Sequence, residues 1–359
     1  MKLTKILAFI IAAATLTVAC EKKSDNTNVG TEAKLVADNN SVEVNSPITF
    51  TVTDSEGNDV TSIAVIFDKT HDFVEVSNPY TPTADGEYVF YAIAGTAISN
   101  EITVTVVPTV PAIPADVEPA NTSFNHHVLL VDHTGTNCGY CPKMMLALKE
   151  VENDAAYHGK YYEAMAHSYN TSDPSYSAAA AAISGYYHVN DYPTLCYNFL
   201  YDINSSYNSG HIKQQIDALW KESADAGIAA AVNLATEVVV VNAEVKAAVT
   251  NDYRVTAWLL EDNIAGVQMN ATADWMNVHN NSIRQVATME PISGYDLGTI
   301  NAGETASTAM TLKISTNRWN RDNFKVMIIA SAKNQKGQFE VANITICPVD
   351  DVVTYDYKK

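Results

Sequence analysis

Residues 126–154, HHVLLVDHTGTNCGYCPKMMLALKEVEND, constrain the fold of this chain more than any other stretch. An apolar run of buried-strand type leads through a short loop to Cys138 and Cys141. From the second cysteine a helix is predicted, with an apolar stripe through Met145, Leu148 and Val151. The result is a strand–loop–helix unit with two cysteines at the helix start. Such a pair can hold a metal, act as a staple or exchange electrons. A zinc site needs four ligands. Cys196 and Cys347 are lone, the nine histidines include no HExxH, and a strand would turn His126, His127 and His133 to alternating faces. No metal is expected. Redox chemistry fits better. The first sulfur would lie beside unsatisfied backbone N–H groups, where the helix dipole favours thiolate. The second cysteine, one turn inward, can attack a mixed disulfide and release the substrate.

The chain opens MKLTKILAFIIAAATLTVAC. Two lysines, an apolar run and small residues before Cys20 read as a secretory signal over 1–19, too short for a spanning helix. TLTVAC resembles the lipobox of bacterial lipoproteins, although Thr17 holds the place where leucine is usual and Leu16 lies one residue back. That resemblance implies lipidation of Cys20 and attachment by lipid alone, with residues 20–32 as a tether. The formal charge is −19, and loss of Lys2 and Lys5 makes it two units more negative. Nothing here would neutralise nucleic-acid phosphates. Five cysteines, one of them Cys20, make no disulfide framework for an exported chain, so packing must supply the stability.

Three parts follow. Residues 33–107 read as short strands, among them ITFTVTD, GEYVFYAIAG and EITVTVV, separated by turn signals such as SEGND. They suggest a small β-sandwich. GEYVFYAIAGTAISNEITVTV resembles the last two strands of bacterial immunoglobulin-like domains. Pro108, Pro111, Pro114 and Pro119 stiffen a linker over 108–120. Over 121–227 strands and helices alternate, the pattern of an α/β layer. There Asp173 and Pro174 read as the start of an Ala-rich helix, and a last helix runs to Gly227. From 228 to 350 strands return as a second β-sandwich, with 262–296 read as a loop over one edge.

LLVDHTGTNCGYC resembles the strand, loop and active site of the thioredoxin fold. The expected fold class is thus multidomain α/β plus β, a thioredoxin-like α/β domain flanked by two immunoglobulin-like β-sandwich domains. The resemblance implies that Asp132, six residues before Cys138, is a buried acid serving the second cysteine. VNDYPTLCYNF resembles the segment whose cis-proline faces the pair, with Pro193 as that proline and Tyr192 before it. The backbone of Tyr192 would then pair with substrate as an added strand, and Tyr140 offers a flat apolar contact. Asn137 and Pro142 depart from the thioredoxin pattern and leave the redox direction open. HTGTNCGYCPKMM and VHNNSIRQVAT, the latter ending near Arg284, resemble a lipid-anchored family, outer membrane protein 28, over about 121–349. That likeness implies an outer-membrane location.

These readings give a lipid-anchored, extracytoplasmic thiol–disulfide oxidoreductase. Cys138 would be the nucleophile, Cys141 the resolving thiol and Asp132 the proton carrier. No dissociable cofactor is expected, and the partners would be exported protein thiols or disulfides and a redox protein. The rival is a non-catalytic surface binding or adhesion lipoprotein, because a fold does not dictate a function. Cys196 and Cys347 read as buried, inert thiols.

Overall fold

Period-two alternation of apolar residues dominates the structure as it does the sequence. The computed structural model describes residues 32–200, 203–204, 207–288, 292–314 and 318–359. The expected signal, Cys20 and nearly all of the tether lie outside the described residues. The chain is mostly β, 44% strand against 14% helix, with three α-helices among the described residues. None of them is long and apolar enough to cross a membrane.

Two compact units form. One comprises residues up to Asn40, Pro47–Tyr80 and Glu87–Val104. In it Glu32–Ala37 pairs antiparallel with Phe50–Asp54, and Ala64–Asp68 pairs with Val74–Val76 and with the long strand Gly86–Ala94. The alternate residues Tyr88, Phe90, Ala92 and Ala94 point inward. The core centres on aromatic rings, with Phe50 and Phe90 at 4.8 Å and Tyr80 and Phe90 at 5.6 Å. Tilted and edge-on contacts of this kind add to the energy of simple burial.

The other unit comprises Ser41–Ser46, Thr81–Gly86 and Thr105–Lys359. Among its strands are β1 (Val128–Thr134), β2 (Tyr161–His167), β3 (Thr194–Tyr197), β4 (Ile203–Asn204), β5 (Ala226–Leu234), β6 (Val238–Ala247) and β7 (Asn251–Glu261). They are followed by β8 (Ser282–Val286), β9 (Tyr295–Ile300), β10 (Thr305–Lys313), β11 (Phe324–Lys333) and β12 (Phe339–Pro348). Helices α1 (Cys141–Glu152), α2 (Ala178–Tyr186) and α3 (Ser209–Leu219) complete it.

A nine-stranded sheet runs β4-β3-β1-β2-β8-β7-β11-β12, with β9 also beside β7. β1 and β2 are parallel, and β3 is antiparallel to β1. This sheet corrects the expected fold class. No thioredoxin-like α/β domain stands between two immunoglobulin-like β-sandwiches. The strands of the α/β stretch form no sheet of their own but continue through β8 into the C-terminal strands. β8 falls inside the stretch expected to be a loop. It bridges β2 at Met165 and Ser282 and pairs antiparallel with β7. Sequence periodicity hides it because Arg284, at its centre, is buried as an ion pair with Glu261, Nε to Oε2 at 2.7 Å.

Both faces of the joined sheet are covered, so its central strands are almost continuously apolar. Along β7 the residues Tyr253, Val255, Ala257 and Leu259 face a four-stranded layer containing β5, β6 and β10. Trp258 and Leu260 face the opposite way, into the cluster that holds α2 with Leu129 and Val131 of β1. The other face of β1, Val128 and Leu130, packs on Met144, Leu148 and Val151 of α1 and Ile212 and Ile216 of α3. Burying one such side chain contributes about 1.5–3 kcal/mol.

Two element ends differ from expectation. α2 starts later than Asp173: its cap is Ser177, whose Oγ accepts the Ala180 N–H and donates to the Ile283 carbonyl of β8. α3 ends at Leu219, and Gly227 lies inside β5. A β-carbon at Gly227 would meet the Phe124 ring at 2.3 Å. The glycine admits that ring instead of ending a helix.

Candidate functional site

β1 is buried throughout and ends at Thr134, where the chain turns into the cysteine loop. Cys138 and Cys141 form a disulfide with Cα atoms 5.4 Å apart. Cys141 is the first residue of α1, and Pro142 follows, where a missing N–H costs nothing. The Cys141 N–H donates to Cys138 Sγ at 3.1 Å. The outer sulfur therefore sits on a helix N-terminus, the place where backbone dipoles stabilise negative charge. Both sulfurs are shielded, with Cys138 3% exposed and Cys141 fully buried.

Asp132 lies on β1 two residues after Leu130, on the face that meets α1. It is fully buried, and neither carboxylate oxygen has a hydrogen-bond partner. Burial pushes its pKa well above the usual range, and the charge of Glu163 adds to this. Glu163 was not read from the sequence. It is level with Leu130 on the parallel strand β2, one oxygen also lacks a partner, and it lines a cavity of about 410 Å³ beside α1. Burial, followed by the charge of Glu152, pushes its pKa up to about 7, against the opposing pull of Lys325.

The Tyr192–Pro193 peptide is cis, and Pro193 is buried. Thr194 is in register with His133, so the proline stands level with Thr134, at the same sheet end as the cysteine loop. The Tyr192 hydroxyl bonds Ser168 Oγ at 3.0 Å, and its ring meets Tyr169 edge-on at 5.2 Å. Tyr140, between the cysteines, is 61% exposed. The topology thus gathers Asp132, Cys138, Tyr140, Cys141, Tyr192 and Pro193 at one end of neighbouring strands. Cys20 lies outside the described residues.

Other groups hold the loop, a role of which the sequence carried no sign. Asp173, expected as a helix cap, instead accepts the Thr136 N–H at 2.7 Å and bonds His167 Nδ1 at 2.9 Å. Burial raises its pKa, but His167 and the N–H groups of Thr136 and Ser175 outweigh that and hold it at about 2. Gln268 donates from Nε2 to the carbonyls of Cys138 and Gly135, and the Met269 N–H donates to the Thr136 carbonyl. The three histidines before the pair disperse. His126 accepts the Lys221 N–H, His127 packs on Tyr162, and His133 bonds Ser184. Burial lowers the His133 pKa to about 3, so its ring is neutral. Among the described residues no three His, Cys, Asp or Glu side chains gather as a metal site. Cys196 and Cys347 are buried thiols, and burial pushes the Cys347 pKa up to about 12.

Residues 180–350 match the family described as outer membrane protein Omp28. The matched stretch begins beyond the cysteine pair, where the resemblance read from the sequence began near residue 121. The match supports a place in the cell envelope, at the outer membrane. No curated protein matches the chain. Among solved structures, HBP35 of Porphyromonas gingivalis is 18% identical with a TM-score of 0.53, over 64% of this chain and 77% of that one. This likeness concerns the fold alone. A putative membrane anchored protein from Corynebacterium diphtheriae is 8% identical over 92% of this chain and 62% of that one, and its TM-score of 0.20 carries no argument.

Proposed function

We propose that this envelope protein exchanges disulfides with exported polypeptides through Cys138 and Cys141. The observation that carries the reading is the Cys141 N–H donated to Cys138 Sγ at the start of α1. In the reduced state that donor and the helix dipole favour a Cys138 thiolate. Oxidation of a substrate begins when a substrate thiolate attacks Cys138 Sγ. The bond to Cys141 breaks, its electron pair leaves on Cys141, and the carboxyl of Asp132 returns a proton to that sulfur. A second substrate thiolate then attacks the substrate sulfur of the mixed disulfide, and Cys138 leaves as thiolate. The substrate loses two electrons and the pair gains two. A partner disulfide restores the pair by the same exchange, and the reverse sequence reduces a substrate. The Tyr192 backbone at the end of β3 pairs with the substrate strand, Pro193 leaves that edge without a donor, and Tyr140 packs on the substrate. A lipid on Cys20 would tether the site to the membrane, with no dissociable cofactor.

One observation favours a second reading. At 3% exposure Cys138 is as hidden as a structural staple, which suits a non-catalytic binding or adhesion protein. Reduction, thiol trapping and an insulin-reduction assay separate the two. Exchange requires fast trapping that Cys138→Ser abolishes and Cys196→Ser leaves intact. A pair that resists thioredoxin-range reductants, or four thiols of equal reactivity, would sink the exchange reading.

A further inference from the structure

We infer that the strap Ile264–His279 selects the substrate of the cysteine pair, favouring extended polypeptide whose cysteine is flanked by apolar residues. The inference rests on the exchange reading above. At its base the strap is a short antiparallel hairpin, Ile264 opposite His279 and Ala265 opposite Val278. Inside it, the Gly266 N–H donates to the Asn277 carbonyl and the Gln268 N–H to Asn277 Oδ1, with Met276 fully buried beneath. Its tip is fastened to the cysteine loop. Met269 N–H reaches the Thr136 carbonyl at 2.7 Å, Gln268 Nε2 the Cys138 carbonyl at 3.0 Å and Asn270 Nδ2 the Gly139 carbonyl at 3.1 Å. The strap is therefore a fixed wall of the site.

Asn270, Thr272 and Asp274 of the strap are exposed, but large apolar side chains are exposed beside them. Val267 is 84% exposed and Met269 49%. Met269 Sδ would lie 3.5 Å from a β-carbon on Gly139, between the cysteines. On the other side Tyr169 stands against Gly135 and is 49% exposed, and Tyr140 is 61% exposed. Met269, Tyr140 and Tyr169 are thus exposed on or against the cysteine loop, with Val267 two residues from Met269 on the same strap, the kind of grouping that marks an interaction surface rather than scattered exposure. One cation is near, Lys143 with its amine 4.9 Å from the Tyr140 ring centre. The sulfur at the centre is recessed, so a flat folded surface cannot bring its own sulfur to Cys138. A single extended strand can, and its side chains on either side of the cysteine then meet the apolar wall.

The test uses two oxidised peptides of equal length, each with an internal disulfide, flanked by Leu and Phe in one and by Ser and Gln in the other. Exchange with the reduced full-length protein is followed by acid quench and mass spectrometry. The apolar peptide is expected to react about tenfold faster, the factor that partial burial of two side chains supplies. In Val267→Ser/Met269→Ser that ratio should fall to near one. Val249→Ser, a comparably exposed valine outside the strap, should keep it. Equal wild-type rates for the two peptides, or a ratio that survives in the double variant, overturn the inference while leaving exchange itself standing. Failure of the wild type to react with either peptide or with glutathione disulfide removes the exchange reading, and this inference with it.

Discussion

Asp132 and Glu163 share one face of two adjacent parallel strands, and both carry carboxylate oxygens without partners. Unpaired buried carboxyls favour their protonated forms. For Glu163 the pKa rises from 4.5 unfolded to about 7 folded, so between those values the native state holds more protons than the unfolded chain. Stability therefore falls as pH rises through that window and levels off above it. Urea unfolding at pH 4.5, 6 and 8 should show this slope, and Glu163→Gln should flatten it. An unchanged slope would mean that another group is responsible. Asp132→Asn should raise stability at neutral pH, since it removes a second group of the same sign, yet slow exchange about a hundredfold by removing the proposed proton carrier. Stopped-flow exchange and denaturation on the same variant check both halves. The burial of Asp132 was anticipated only through the resemblance of its strand and loop to the thioredoxin fold. Glu163, Asp173 and Gln268 were not, since each acts on the cysteine loop or on Asp132 from another part of the chain.

Among elements, β8 decides the architecture and was the hardest to read. Strands β1, β7 and β11 announce themselves as apolar runs, and α1 by its stripe. SIRQV does not, because its polar centre is buried only by virtue of partners. Arg284 pairs with Glu261, donates to the carbonyls of Tyr176 and Pro174, and stacks 5.5 Å from the Trp319 ring centre. Breaking one side of a buried pair typically costs about 3–5 kcal/mol because the other charge is stranded. Arg284→Leu should cost that much, and adding Glu261→Gln should recover a large part of it. A denaturant double-mutant cycle measures the coupling, and additive effects would show that the pair is not the joint. Gly227 taught a similar lesson: read as a helix stop, it makes room for Phe124. Gly227→Ala should destabilise by about 1–3 kcal/mol through overpacking, and Phe124→Leu in the same chain should relieve part of that cost.

At a larger scale, the strands of the α/β stretch share one sheet with β7, β8, β9, β11 and β12, so neither part has a complete core alone. Leu129, Val131, Ala164 and Ala166 share their cluster with Trp258, Leu260, Ile283 and Met327. A fragment of residues 121–227 is expected to lack a cooperative unfolding transition, and residues 121–359 to have one. Circular dichroism during urea titration distinguishes them, and a sharp transition in the short fragment would contradict the shared core. The strap brings a further consequence for a chain delivered N-terminus first. Gln268 reaches a carbonyl 130 residues upstream, so both cysteines emerge long before the residues that secure their loop. During that interval the carbonyls of Cys138 and Gly139 lack the Gln268 and Asn270 donors that hold them in the folded protein. On the exchange reading proposed above, the pair can act on another chain only after the strap has been added and its bonds to the loop have formed.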